Sequence, residues 1–342
     1  MKRFFLFALA LICGQYASAQ MMPDSTVQIV AYWEIGDKYA YNCERSSKEI
    51  NAQGDTVSVE YSSEIMEFEV VGKTETSYQV KLTYYDEESS NPQNQLIQKI
   101  MSDCGANLPV LFSTDQHGSL ISFDNIPQLA ESFKKGIGPL AQALTEQMSP
   151  EDLEGFDMQG FTEQLLAMIA DPAVIQTSIL DDIGRVFLFH GARMELDHTY
   201  SFDEPLNFML PGMEQLSAKT NFWAEKDLTD TYSTVCRTYT LADIGNETVS
   251  SAIGSITGLA TEHTEMPDSL KNEFNKEMND AMSEMNMQIK WEQYTTSEIH
   301  LNTGWPLNFY HDKYIKAVIP GSGSQEKIES RYMEIILPDS EE

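Results

Sequence analysis

Polar and apolar residues alternate along 38–50 and again along 56–71, the period of a strand with one wet face. In Glu64 to Val70, the apolar Met66, Phe68 and Val70 point one way and Glu67 and Glu69 the other. Asn51 to Asp55 supplies the turn between these two strands, and 77–85 makes a third after a Gly72-Lys73 turn. The period then lengthens. Leu96, Ile97, Ile100 and Met101 fall on one side of a helix over 92–104, with Gly105 just past its end. A hairpin follows, 110–114 returning through 120–123. Ile126, Leu129, Phe133, Ile137, Leu140 and Leu144 recur at spacings of three and four, a helical stripe that Gly136, Gly138 and Pro139 are expected to split in two.

Helices over 158–170 and 172–182 complete this middle section, Pro172 standing in a first turn. Alternation resumes in strands 197–202, 218–228, 231–242, 247–257, 287–301, 306–318 and 330–337, interrupted by a helix over 267–283. Asn302 to Pro306 reads as a turn with Gly304 free to take positive φ and Trp305 entering the next strand. The chain thus divides into a 20–124 β-meander with hairpin, a 125–190 helical segment and a 191–342 β-rich half, expected to form one compact domain. Helices placed between two β segments give an α+β class.

The first residues carry a different pattern. Lys2 and Arg3 precede an apolar run from Phe4 to Cys13, and Ala17-Ser18-Ala19 offers a small-x-small cleavage site. Residues 1–19 read as a secretory signal peptide, too short in its apolar part to span a bilayer. Ile12 before Cys13 does not make a lipobox. The expected location is therefore periplasmic or extracellular, with no transmembrane segment in the mature chain. Removing the peptide takes Lys2 and Arg3 with it, leaving 20 basic against 53 acidic residues, a net charge of −33. Such a chain will not track a phosphate backbone, which excludes nucleic acid as a partner.

Three cysteines remain, Cys43, Cys104 and Cys236. Export permits a disulfide, and the odd count leaves one thiol over. Cys43–Cys104 is the favoured pair, because Cys104 ends a helix able to fold back on the first strands. No spacing marks a metal site or a bound cofactor. The nucleophile elbow, the zinc helix and the phosphate loop are missing, and none of the six histidines stands at ligand spacing to another His or Cys. No catalytic residue is assigned. Glu151, Asp152, Glu154 and Asp157 gather at a helix start, where exposed N–H groups favour acids. The methionines at 278, 282, 285 and 287 read as an apolar contact stripe rather than a Cu(I) site.

Gly36-Asp37-Lys38-Tyr39, the hairpin from Asp115 to Phe123, Tyr239-Thr240-Leu241 and Thr303-Gly304-Trp305-Pro306 together resemble a family of uncharacterised secreted or lipid-anchored Bacteroidota proteins. The resemblance implies an architecture similar to lipoprotein-carrier half-barrels, in which a curved, clam-like antiparallel sheet packs against a central group of helices. It assigns no activity. Helices laid over the concave face would enclose an apolar cavity. The expectation is a non-enzymatic binder of a lipid or other apolar small molecule, or of a protein partner the sequence does not name. Its candidate lining residues are Phe133, Leu140, Leu144, Phe161, Leu165, Trp223 and Trp305. The alternatives are a secreted hydrolase with dispersed catalytic residues and a structural envelope protein. Asp55-Thr56-Val57 and Asp268-Ser269-Leu270 also resemble the O-glycosylation acceptor pattern of the same phylum.

Overall fold

A computed structural model describes residues 24–146, 170–206, 216–227, 232–246, 286–319 and 323–337, with scattered positions between them. Its centre is an eleven-stranded antiparallel sheet. Strands β2 (Lys38–Ile50), β3 (Thr56–Lys73), β4 (Ser77–Ser89), β5 (Val110–Asp115) and β6 (Leu120–Phe123) meander outward to one edge. Strands β8 (Tyr200–Leu206), β9 (Leu216–Lys226), β10 (Ser233–Ile244), β11 (Gln288–His300), β12 (Pro306–Ile319) and β13 (Gly323–Ile335) meander inward from the other. The seam lies where β13 pairs β2, with Met333 opposite Cys43 and Arg331 opposite Arg45. Every other neighbour in this sheet is also a neighbour in sequence, so among the described residues the seam is the one long-range join within the sheet. A two-stranded ribbon of β1 (Thr26–Gln28) and β7 (Arg193–Glu195) stands apart.

Three helices belong to the described residues: α1 (Pro92–Asp103), α2 (Ile126–Thr145) and α3 (Pro172–Val186). Asn91 caps α1, its side-chain oxygen accepting from the Gln93 and Asn94 amides, and Asp171 does the same for α3. Asn125, which precedes α2, instead ties that helix to β5 by accepting from the Leu111 amide at 2.9 Å.

The half-barrel expectation fails. The α+β class and the antiparallel sheet are present, but the sheet is neither closed nor strongly curled. Its edges, β6 and β8, stay apart, and a barrel requires the edge strands to meet. The expected break in the central helix is also absent, for α2 runs unbroken through Pro139. Proline removes one ladder hydrogen bond, a local cost. Against it, one face of α2 buries Ile126, Leu129, Ala130, Ile137, Leu140 and Ala141, each apolar side chain worth about 1.5–3 kcal/mol at most. Gly72 is not the end of β3 either. The strand continues to Lys73 across a register shift between Val70 and Gly72, a bulge. The last strand begins at Gly323, seven residues before the expected 330, after a turn in which Gly321 takes φ +83°.

The helix over 158–170, the strand over 247–257 and the helix over 267–283 lie wholly or largely outside the described residues. At its described start, the 247–257 stretch is helical, at Thr248 and Val249, rather than extended.

The core of the N-terminal half is aromatic. Trp305 stacks on Trp33 at 4.5 Å and on Tyr39 at 4.7 Å between ring centroids. Phe187 meets Phe68 edge-on at 5.7 Å. The Asn302–Pro306 turn delivers Trp305 there as its sequence anticipates. Gly304 takes φ +76°, and a Cβ at that position would strike the Val30 carbonyl oxygen. In the C-terminal half, Val27, Ile29, Phe189 and Met194 lie on Ala224, Cys236 and Ile299.

Candidate functional site

Helices α1, α2 and α3 cross the same face of the sheet, the one that carries Cys43, Met66, Phe68, Leu82 and Phe309. α3 is bolted down by charge. Asp182 receives Arg331 at 2.6 Å and Arg45 at 2.9 Å, and Arg45 also holds Glu64 at 2.7 Å. Burial alone would raise the Asp182 carboxyl. The guanidiniums of Arg331 and Arg45 outweigh that and hold it below the usual carboxylate range. Arg331 further donates to the Asp182 carbonyl at 2.9 Å and to the Cys43 Sγ at 3.4 Å, which occupies the inward side of that cysteine. Cys43, Cys104 and Cys236 are all free thiols, so the favoured Cys43–Cys104 bridge is not formed.

On one side of this ion cluster lies a cleft of about 1060 Å³ between α1, α2, α3 and β4. Ile97, Leu108, Val110, Leu129, Phe133 and Ile179 form its apolar wall. Tyr84, Tyr85 and the acidic end of β4 form the rest of its rim. The volume lies at the upper end of the range for small-molecule sites. α1, which roofs it, has no buried residue. Leu96, Ile97, Ile100 and Met101, the stripe expected to pack, are all only partly covered.

On the other side, Arg45, Arg331, His311 and Thr295 stand directly opposite one another across β2, β13, β12 and β11. Arg45, Arg331 and His311 line a second, polar cavity of about 540 Å³. Burial, reinforced by the nearby Arg185, lowers the His311 imidazole to about 3, so it is neutral, with Nδ1 2.9 Å from the Thr295 hydroxyl.

Of the seven lining residues expected from sequence, Phe133 alone lines the cleft. Leu140 is buried under α2, and Leu144 packs on Ile137 and Ala141. Trp305 is sealed in the aromatic core. Trp223 lies on the opposite face of the sheet from buried Ala224 and donates to Glu225 at 2.8 Å. Phe161 and Leu165 lie outside the described residues. Sequence reading missed Leu108, Val110 and Ile179 as wall residues, and Arg45 and Asp182 as the floor between the two cavities. The signal for the wall was present in the α1 stripe and in the alternation of Val110 to Phe112.

Around His117 and His190, among the described residues, hydroxyl, imidazole and carboxylate groups do not converge as acyl-transfer chemistry requires. His117 stands 3.6 Å from Asp115, yet the neighbouring Ser119 hydroxyl donates to the His190 carbonyl. His190 is buried, its Nε2 2.6 Å from the Gly304 carbonyl, and desolvation lowers it to about 4. Among the described residues no three His, Cys, Asp or Glu side chains are grouped to hold a metal ion. Among them, too, no helix is long and apolar enough to cross a membrane.

No family model and no curated protein matches the chain. The resemblance to the Bacteroidota family with its half-barrel implication is not upheld, because the sheet is neither closed nor strongly curled. Among solved structures, lipovitellin, described for its lipid–protein interactions, is similar at TM-score 0.42 and 9% identity. The likeness covers 90% of this chain and 26% of that one, so the chain spans about a quarter of lipovitellin's length. An outer membrane channel from Pseudomonas putida F1 gives 0.17 at 7% identity, over 90% of this chain and 98% of the channel. The OmpT loop L8 deletion mutant, an outer membrane protein of Vibrio cholerae, gives 0.19 at 6%, over 88% and 100%. Likenesses this slight define neither the fold nor the function.

Proposed function

We propose that this chain is a non-enzymatic binding protein that takes an apolar or amphipathic small molecule in the cleft beneath α1, and that it works outside the cytoplasm. The observation that carries the reading is the state of α1. An amphipathic helix whose apolar stripe buries no residue leaves contact surface unused, and the space below it is walled by Phe133, Leu129, Ile97 and Ile179. A filled core would have covered that stripe, as it covers the stripe of α2. Action outside the cytoplasm rests on the reading of residues 1–19 as a cleaved signal peptide.

Native mass spectrometry of the gently purified protein, followed by organic extraction, tests this directly. The expected result is an apolar adduct at one per chain, lost in Phe133→Asp. An adduct-free mass from several preparations, together with no uptake of a neutral apolar fluorophore, overturns the proposal.

A further inference from the structure

We propose that the ligand of this cleft is a cationic amphiphile, an apolar body ending in a protonated amine or quaternary ammonium; this rests on the cleft being a binding site. The geometry begins at a bulge in β4. Tyr85 pairs with Ile65 and Glu88 with Ser63, so Asp86 and Glu87 together stand opposite the single Glu64. Asp86 takes φ +48°, a left-handed conformation that non-glycine residues adopt infrequently and that Asp tolerates better than most. The extra residue breaks the alternation of the strand, so Asp86, Glu87 and Glu88 all border the cleft. Gln98 of α1 donates to Glu87 at 2.6 Å and fixes that carboxylate at the mouth, between strand and roof.

The cations at the cleft do not balance these acids. Arg45 is committed to Glu64 and Asp182. Among the described lining residues that leaves Lys99 of α1 as the one other cation against Asp86, Glu87 and Glu88. Desolvation, and after it the neighbouring Glu64, raise the Glu87 carboxyl above the usual range. A ligand cation would counter the Glu64 repulsion and compensate the desolvated carboxylate. Tyr84 borders the same cleft, its hydroxyl 3.4 Å from Asp182.

An acidic rim alone would mark only a solvated edge. Here it borders an apolar wall in which Ile97, Phe133 and Ile179 are only partly covered, and the two surfaces fit one ligand with two ends. An anionic amphiphile would bury its tail equally well but would place its head among the acids. The polar cavity beyond Asp182 is a weaker candidate, because its cations are already paired, Arg185 with Asp181 and Lys313 with Glu329.

The test uses three probes of one chain length below their micellar concentrations: decyltrimethylammonium, decyl maltoside and decanoate. Each is titrated into the full mature protein by calorimetry at low salt. Decyltrimethylammonium is expected to bind about tenfold more tightly than decanoate, with the gap narrowing as salt rises. Asp86→Asn/Glu87→Gln should cut that preference to about threefold or less. Asn tolerates the left-handed position, so the bulge is kept, and circular dichroism checks the fold. Glu44→Gln/Glu334→Gln on the opposite face of the sheet removes the same net charge and should leave the preference unchanged. Equal binding of all three probes overturns the cationic assignment and leaves the cleft as a binding site. So does an equal loss in the control pair. No binding by any probe overturns both.

Discussion

Two helices with the same kind of apolar stripe end in opposite conditions. α2 buries nine residues and stays continuous through a proline; α1, twelve residues long and well capped, buries none. Their stripes differ less than what lies beneath them. Under α2 and α3 the sheet presents Phe68, Leu82 and Phe112, with Phe187 and Trp305 filling the remaining space. Under α1 it presents the bulged, acidic end of β4 and a cleft. Helical periodicity makes a face; whether that face is core or ligand contact is decided by the element opposite. The difference places the packed region at the stable end of the molecule and the α1 side at the adaptable end.

The comparison breaks most easily on the packed side. Trp305→Ala removes a ring held between Trp33 and Tyr39 in a site with 1% exposure, so it should cost about 3–5 kcal/mol in denaturant unfolding. A loss under about 1 kcal/mol would mean that the aromatic core is no tighter than the α1 side. Asp182→Asn comes next. It leaves Arg331, 8% exposed in its side chain, without the charge that compensates it, at a cost of about 3 kcal/mol. The pH dependence follows from the sign of the shift. The folded-state pKa of Asp182 lies below its unfolded value. Its contribution is therefore complete above the ordinary carboxylate pKa and is lost as pH falls through the depressed one. The substitution should flatten the acid limb of the stability profile below about pH 4 and lower it evenly above about pH 5. An unchanged acid limb would show that α3 is not held by this charge cluster.

Gly136→Ala sharpens the contrast at a place where the two helices touch. A Cβ there would run into the Met101 sulfur of α1. Ala is favoured over Gly within a helix by about 1 kcal/mol, and Met101 is flexible at its far end. If α1 is as loosely held as its exposure implies, it yields, and the variant is stabilised by about 0.5 kcal/mol. A loss of 1 kcal/mol or more would place α1 in the rigid part of the molecule.

What the sequence made legible was local. The alternation of Met66, Phe68 and Val70 named three fully buried side chains, and Gly105 marked the end of α1 with φ +67°. What it left dark was pairing across distance. The Arg45–Asp182 bond joins residues 137 apart, and Arg331 reaches the Asp182 carbonyl across 149. Neither separation leaves a periodic trace. The seam between β13 and β2 is hidden for the same reason, because alternation gives the two faces of a strand and not its neighbour. Pro139 misled because a propensity rule was set against a buried face it could not see. Little of the candidate site was legible. Phe133 was found, while Trp305 and Leu140 were taken for lining because a large apolar residue reads alike in a filled core and at a cavity wall.

The smallest expected effect is the most telling about the cleft. Ile97 belongs to the apolar stripe of α1 and lines the cleft, yet it is only partly buried. Truncating a buried isoleucine costs about 2–5 kcal/mol, chiefly from lost burial and the cavity left behind. Neither term is large for a side chain that already borders open space. Ile97→Ala should therefore lower stability by less than about 1 kcal/mol. Binding should respond in the opposite proportion, since any ligand under α1 takes its contact from this side chain. A fall of about fivefold or more in affinity for a neutral decyl probe, at near-constant stability, is the expected outcome of paired calorimetric and denaturant measurements. The reverse split, a large loss of stability with unchanged probe affinity, would make the α1 stripe part of the core.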